Sequence, residues 1–208
     1  MTIKEFEKHY VKRYKFLESR FLQTEDYVAI DELNFNAYSQ AYLDLFLAIG
    51  SEVAIVKKLL ARIIKNNDDI KDKDVNKIIL EYDPTFKDLQ VTLLREEIKF
   101  KPRNYPEDTK WWTVYTNLKH DRGGSAKIID IDNPYYQCAN LGNVLESLAG
   151  LHVLVYYTYH MLYVKNGKID DPVPPMKSLF KIVNSYREEI DYGTGPYFFE
   201  GTLIFERL

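Results

Sequence analysis

Cysteine is almost missing from this chain: Cys138 is the only one among 208 residues. A lone thiol closes no internal disulfide and builds no multi-cysteine zinc site, which excludes a disulfide-stapled secreted domain and makes a reducing cytoplasm the expected location. Glycine and proline are sparse as well, at 9 and 8 residues, so collagen-like, linker-rich and low-complexity classes are excluded. An excess of positive charge is also lacking. The net charge is -3, with both signs spread along the chain, which excludes a strongly basic nucleic-acid binder and a polyelectrolyte tail. The first 20 residues carry six Lys/Arg and no uninterrupted apolar core, so they do not read as a secretory signal. The longest apolar stretch, residues 148–164, is interrupted by His152, Thr158, His160 and four tyrosines; it is expected to be a buried helix and not a bilayer span. No HExxH pair, Walker loop, GxGxxG turn or GxSxG elbow is present, so zinc protease, P-loop NTPase, Rossmann and α/β-hydrolase mechanisms lack their parts. No repeat of 20 to 50 residues recurs, which argues against a solenoid.

What is present is a large apolar and aromatic fraction, 46% and 14%, including 17 Tyr and 11 Phe. A chain of this mass buries roughly 70% of its extended surface on folding, so a substantial core is available. Most aromatics fall at helical spacing. Phe6, Tyr10, Tyr14, Leu17 and Phe21 recur at steps of three and four and predict an amphipathic helix over 2–22. Residues 26–31 are short and β-prone and read as a strand or extended connection. A long helix is expected over 38–65, ended by Asn66-Asn67-Asp68-Asp69. A shorter one, capped by Asp72 or Asp74, is stopped by Asp83-Pro84. Residues 85–98 read as another helix. Asn104 with Glu107 resembles a capping box before a helix carrying Trp111, Trp112, Tyr115 and Leu118, which should end at Arg122-Gly123-Gly124. Asn133-Pro134 opens the most apolar helix, 134–164, closed by Asn166-Gly167. Residues 177–184 read as a short helix or extended segment, and 197–206 as a terminal strand or hairpin arm. The expected fold is all-α: one domain over 1–208, a helical bundle around helices 38–65 and 134–164 with minor β near 26–31 and 197–206.

Three polar features interrupt the apolar faces. Glu52 falls on the stripe of the 38–65 helix, among Ala48, Ile49, Val56 and Leu59, where a carboxylate needs a partner or a raised pKa. Asn140, Asn143, Ser147 and Gly150 follow one another at steps of three, four and three and mark an interhelical face, because asparagine is a poor helix-interior residue without tertiary partners. Asn117-Leu118-Lys119-His120-Asp121-Arg122 precedes the glycine pair. Chemically, His120 suits general acid–base work on a phosphodiester, Lys119 and Arg122 stabilisation of developing phosphorane charge, and Asn117 orientation of a hydroxyl, with no metal or cofactor required. The competing reading is structural: basic residues in a last helical turn complement the helix dipole and bond its free carbonyls. His9, His152 and His160 read as core or rim histidines.

The segments Tyr27-Val28-x-Ile30-Asp31-x-x-Asn34, Gly50-Ser51-Glu52, Trp111-Trp112-x-x-Tyr115-x-Asn117-x-Lys119-His120-x-Arg122 and Ala139-Asn140-Leu141-x-Asn143-Val144-Leu145 resemble a group of bacterial and phage-associated proteins with no established activity. In general character the chain is similar to helical HEPN-type domains of toxin–antitoxin and phage-defence systems. That resemblance implies a four- or five-helix bundle, often a homodimer, sometimes a metal-independent ribonuclease, with RNA or an antitoxin-like protein as partner. The HEPN nuclease order, an Arg with a His four to six positions later, is absent: Arg103-Asn104 has no such His, and His120 precedes Arg122. Two functions stand open at this point. One is a HEPN-like domain that recognises or cleaves RNA through Glu52, Asn117, Lys119, His120, Arg122, Asn140 and Asn143. The other is a non-enzymatic interaction protein in which the same cluster is a structural network.

Overall fold

A computed structural model describes residues 1–102, 110–124, 134–168 and 176–183, which are mostly helical with one small sheet. The expectations at Asn104/Glu107, Asn133 and 197–206 lie outside the described residues.

The chain begins with Thr2 capping a helix in a reciprocal box with Glu5. Helix α1 (Ile3–Phe6) continues through a π-type turn (Glu7–Val11) into α2 (Lys12–Leu22), and Phe6, Tyr14, Leu17 and Phe21 are buried along it, as the spacing predicts. The expected strand at 26–31 does not form. Thr24 Oγ1 donates to the Phe21 carbonyl at 2.6 Å and the Thr24 carbonyl accepts from Tyr27 and Val28, so the helix tightens into a 3-10 turn, and the connection then finds no neighbouring strand to pair with. Ser39 caps α3 (Gln40–Lys65), which ends on Asn66 in the left-handed region at φ 50°. A 3-10 turn at Asp72–Asp74 leads into α4 (Val75–Tyr82), where Asp83 and Pro84 stop it as expected.

The expected helix at 85–98 is corrected by the structure. After a 3-10 turn (Pro84–Asp88), β1 (Gln90–Leu93) and β2 (Ile98–Phe100) form a hairpin, and β3 (Phe180–Val183) pairs antiparallel with the other side of β1, giving the order β2-β1-β3. The register sets Val91 opposite Phe100 and Ile182, and Leu93 opposite Ile98 and Phe180. Val91, Leu93, Phe100, Phe180 and Ile182 are all buried on one face. Local helix-favouring residues such as Arg95 and Glu96 lose to this two-sided pairing, whose partner strand lies far along the chain.

Helix α5 (Lys110–His120) is followed by α6 (Tyr135–Cys138) and α7 (Leu141–Lys165). The expected continuous helix over 134–164 is thus broken. Ala139 leaves helical geometry at ψ 61°, and Asn140 starts α7 afresh as an N-cap, because its side-chain oxygen competes successfully for the Asn143 amide. α7 is buried on nearly every side. α3 makes the most extensive packing against it, with α5, the N-terminal helices and β3 around the rest. No helix among the described residues is long and apolar enough to cross a membrane.

Close approach of α5 to α3 depends on Gly50: a Cβ there would lie 2.3 Å from Cδ2 of Tyr115. Alanine at an ordinary helix position gains up to about 1 kcal/mol over glycine. Gly50→Ala should instead lower stability by about 1–3 kcal/mol through overpacking. Urea unfolding of the variant, and of the same variant with Tyr115→Ala to remove the clash, measures this directly.

Candidate functional site

The residues expected to form one polar constellation are placed at three separate points of the scaffold. At the end of α5, Lys119, His120 and Arg122 are all exposed and have no ion pair or hydrogen bond among the described residues. Asn117 turns back along its own helix, donating from Nδ2 to the Thr113 carbonyl at 2.9 Å. The neighbouring Asp121 shapes the loop: its Oδ1 accepts from the Gly123 and Gly124 amides at 3.0 Å each. The Gly124 carbonyl then accepts from the Tyr135 amide at 2.9 Å, so the chain does return to this helix end.

It returns with Tyr135, however, and the asparagines are engaged elsewhere. Asn140 Oδ1 accepts from the Asn143 amide at 3.0 Å, and Asn143 Nδ2 donates to the Cys138 carbonyl at 2.7 Å. The free amides at the start of α7 are satisfied by Asn140 and by the 35–37 segment, since Leu141 donates to Ala37 O and Gly142 to Phe35 O. Further along, Gly150 lies beneath Trp111, where a Cβ would sit 3.3 Å from Cζ2. Gly150 thus meets α5, whereas the Asn140 and Asn143 side-chain bonds stay within residues 138–143, so these asparagines cap a helix start and do not reach a second helix.

Glu52 pairs with Arg13 of α2, Nε to Oε1 at 3.0 Å, with the glutamate side chain 17% exposed. Gly50, two residues earlier, faces α5, and two residues in an α-helix turn the side chain by about 200°. The Glu52 carboxylate therefore ties α3 to α2 and is directed away from the helix that carries His120.

A polar cluster that sequence reasoning missed lies in the core between α2, α7 and β3. Glu18 Oε1 accepts from the Tyr14 hydroxyl at 2.8 Å, the Ser178 hydroxyl at 2.7 Å and the Leu179 amide at 2.9 Å, while Lys15 Nζ reaches Oε2 at 2.9 Å. Burial pushes the Glu18 carboxyl up, and Lys15 with the hydrogen bonds from Leu179 and Ser178 more than offsets it, leaving a net lowering. The His152 ring lies 5.6 Å from Tyr14 and 6.0 Å from Phe180, with Nδ1 buried and without a partner among the described residues. Its burial lowers its pKa to about 4, so the ring is neutral. The signal was present in the sequence: Glu18 occupies a core position of the stripe Tyr14, Leu17, Phe21, the same cue that singled out Glu52. Its partner Ser178 is far off in sequence and gave no cue. The cluster anchors the segment leading into β3. No group of histidine, cysteine or acidic residues among the described residues is arranged to hold a metal ion.

An open groove lies on the opposite side of the sheet from β3, between residues 30–32 and residues 96–99, with a volume of about 730 Å³. Asp31, Glu32, Glu96 and Glu97 line it with a single cation, Lys99.

Compared with protein-family models, curated proteins and solved structures, the chain matches none of them.

The buried His152 and the half-buried Glu146 give opposing pH dependences. His152 falls from its ordinary 6.5 to about 4, so between those values the unfolded chain holds a proton the folded chain does not, and stability is lost as pH falls. Burial raises Glu146 from 4.5 to about 7, partly offset by Lys110, so between those values the folded chain holds the extra proton and stability is lost as pH rises. From pH 4.5 to 6.5 the two effects oppose, and the wild-type unfolding free energy should be nearly flat. Glu146→Gln uncovers the His152 slope, and its stability should rise by about 2–3 kcal/mol across that window. Denaturant titrations at several pH values check this. Glu18→Ala, which orphans the groups it binds, should cost about 3 kcal/mol at neutral pH in the same assay.

Proposed function

We propose that this chain is a helical interaction module in which the polar cluster around the helix ends is structural and binding is done by an exposed connection. One observation carries the reading. Between α2 and α3 the chain displays Tyr27 at 89%, Leu33 at 92% and Tyr38 at 52% exposure, three large apolar side chains on one connection, and grouped exposed apolar surface is what marks an interaction site. Tyr38 also meets the exposed Tyr136 of α6 edge to face at 6.0 Å, which extends the apolar surface onto the next element. The bonds of Asn117, Asn140, Asn143 and Glu52 support the same reading, since Asn117 bonds back along its own helix, Asn140 and Asn143 hold a helix start and Glu52 joins two helices.

The HEPN-like reading, in which the chain recognises or cleaves RNA as part of a phage-defence or toxin–antitoxin system, is supported by the joint exposure of Lys119, His120 and Arg122 at one helix end. There the carboxylate and the asparagines expected to complete an acid–base site serve other bonds, so the interaction reading is preferred. Incubation of total RNA with the wild-type protein and with His120→Ala separates the two. Equal outcomes, with no cleavage by either, are expected. Cleavage that disappears in His120→Ala overturns the interaction reading and establishes the nuclease one.

A further inference from the structure

We infer that the outer edge of β2 receives an extended, cationic segment of a partner protein, which adds as a fourth strand in the groove facing residues 30–32. This rests on the interaction reading above and names the partner's chemistry. In the order β2-β1-β3, both edges of β1 are occupied, while the outer edge of β2 has no strand beside it among the described residues. An unpaired strand edge presents a row of backbone N–H and C=O groups, and proteins ordinarily cover or blunt it. Here it borders a groove of about 730 Å³, within the range of specific binding clefts.

The walls of the groove are fixed. Phe35, which follows the 30–32 segment, stacks on Phe100 at the end of β2 with ring centroids 6.2 Å apart, and Asn34 Nδ2 donates to the Ala29 carbonyl at 3.0 Å. Ile30 and Ile98 contribute apolar surface to the lining. Charge selects the occupant. Asp31, Glu32, Glu96 and Glu97 face one lysine, Lys99; Arg95 engages Glu96 but is shared with Glu25. Glu97 is held at the lip in the left-handed region at φ 57°, in the turn that feeds β2. A polyanion such as RNA is repelled by this lining. A strand that alternates basic and apolar residues fits it, because successive side chains of a strand point to opposite faces while the backbone pairs with the edge.

The test uses the full chain and a short synthetic peptide alternating lysine and valine, labelled for fluorescence anisotropy. Saturable binding is expected, weakened by about tenfold or more when a central proline removes a backbone donor, and by a similar factor in the double variant Glu32→Lys, Glu97→Lys. Hydrogen exchange at the amides of 98–100 should slow on binding. Absence of binding to the wild type, or binding indifferent to the proline and without slowed exchange, overturns strand addition. The RNA assay on the same preparation keeps the two readings apart. His120-dependent cleavage counts against the interaction reading, whereas a chain that neither cleaves RNA nor binds the peptide counts against the β2 edge alone.

Discussion

Helix α7 is buried on nearly every side, and that constraint organises the rest of the molecule. From Leu141 to Tyr163 it presents buried residues around its whole circumference, so no single neighbour suffices to shield it from water. α3 covers the largest share, α5 lies over the Gly150 face, α1 and α2 cover a third side, and β3 brings the sheet against a fourth. Burial at roughly 25 cal/mol per Å² of apolar surface supplies the driving force for this wrapping. The aromatic surplus follows from it. Tyr14, Tyr42, Trp111 and Tyr157 are large side chains that fill the angles between helices of different direction around one central rod.

Wrapping a central helix leaves few routes for buried polar groups, and the residues expected to form a site are resolved locally or by a single cross-link, while His152 Nδ1 stays without a partner among the described residues. Asn140 and Asn143 satisfy the start of α7, Asn117 satisfies itself along α5, and Glu52 crosses to Arg13. Glu18 is the exception in scale. One carboxylate collects a tyrosine, a serine, a backbone amide and a lysine, and through Ser178 and Leu179 it secures the segment that becomes β3. Without that anchor β1 would lose one of its two partners, and the sheet would be a hairpin of marginal stability. The order β2-β1-β3 that leaves β2 at the open edge therefore depends on a contact made in the core.

Small residues decide how closely the layers meet. Gly50 admits Tyr115, Gly142 admits Phe35 and Gly150 admits Trp111, each with a distance at which a methyl group would collide or crowd. These three glycines also orient the surface features. Gly142 seats the 35–37 connection on the start of α7, and Phe35 in turn stacks on Phe100, so the exposed stretch from Tyr27 to Tyr38 and the edge of β2 are held in one place.

The helices were legible in the sequence wherever the signal was local. The apolar spacing of Phe6 to Phe21 and of the 38–65 segment, the Asp83-Pro84 stop and the Asn166-Gly167 end all act within a turn or two of the chain, and the structure places its elements there. Glu52 was legible as a carboxylate in need of a partner, but which partner was not, because Arg13 lies on another helix and only the packing of α3 against α2 brings the two together. Residues 85–98 were misread as a helix because the strand character of 90–93 depends on β3, and of the two readings of 26–31 the connection holds, because β-prone residues with no neighbouring strand among the described residues remain a connection. The sequence alone determined the helical class and the abundance of apolar faces, since periodicity and capping are properties of neighbours along the chain. Tertiary structure alone decided which polar groups meet and which strand edge stays open among the described residues, since both depend on pairings between residues that only packing around α7 brings together.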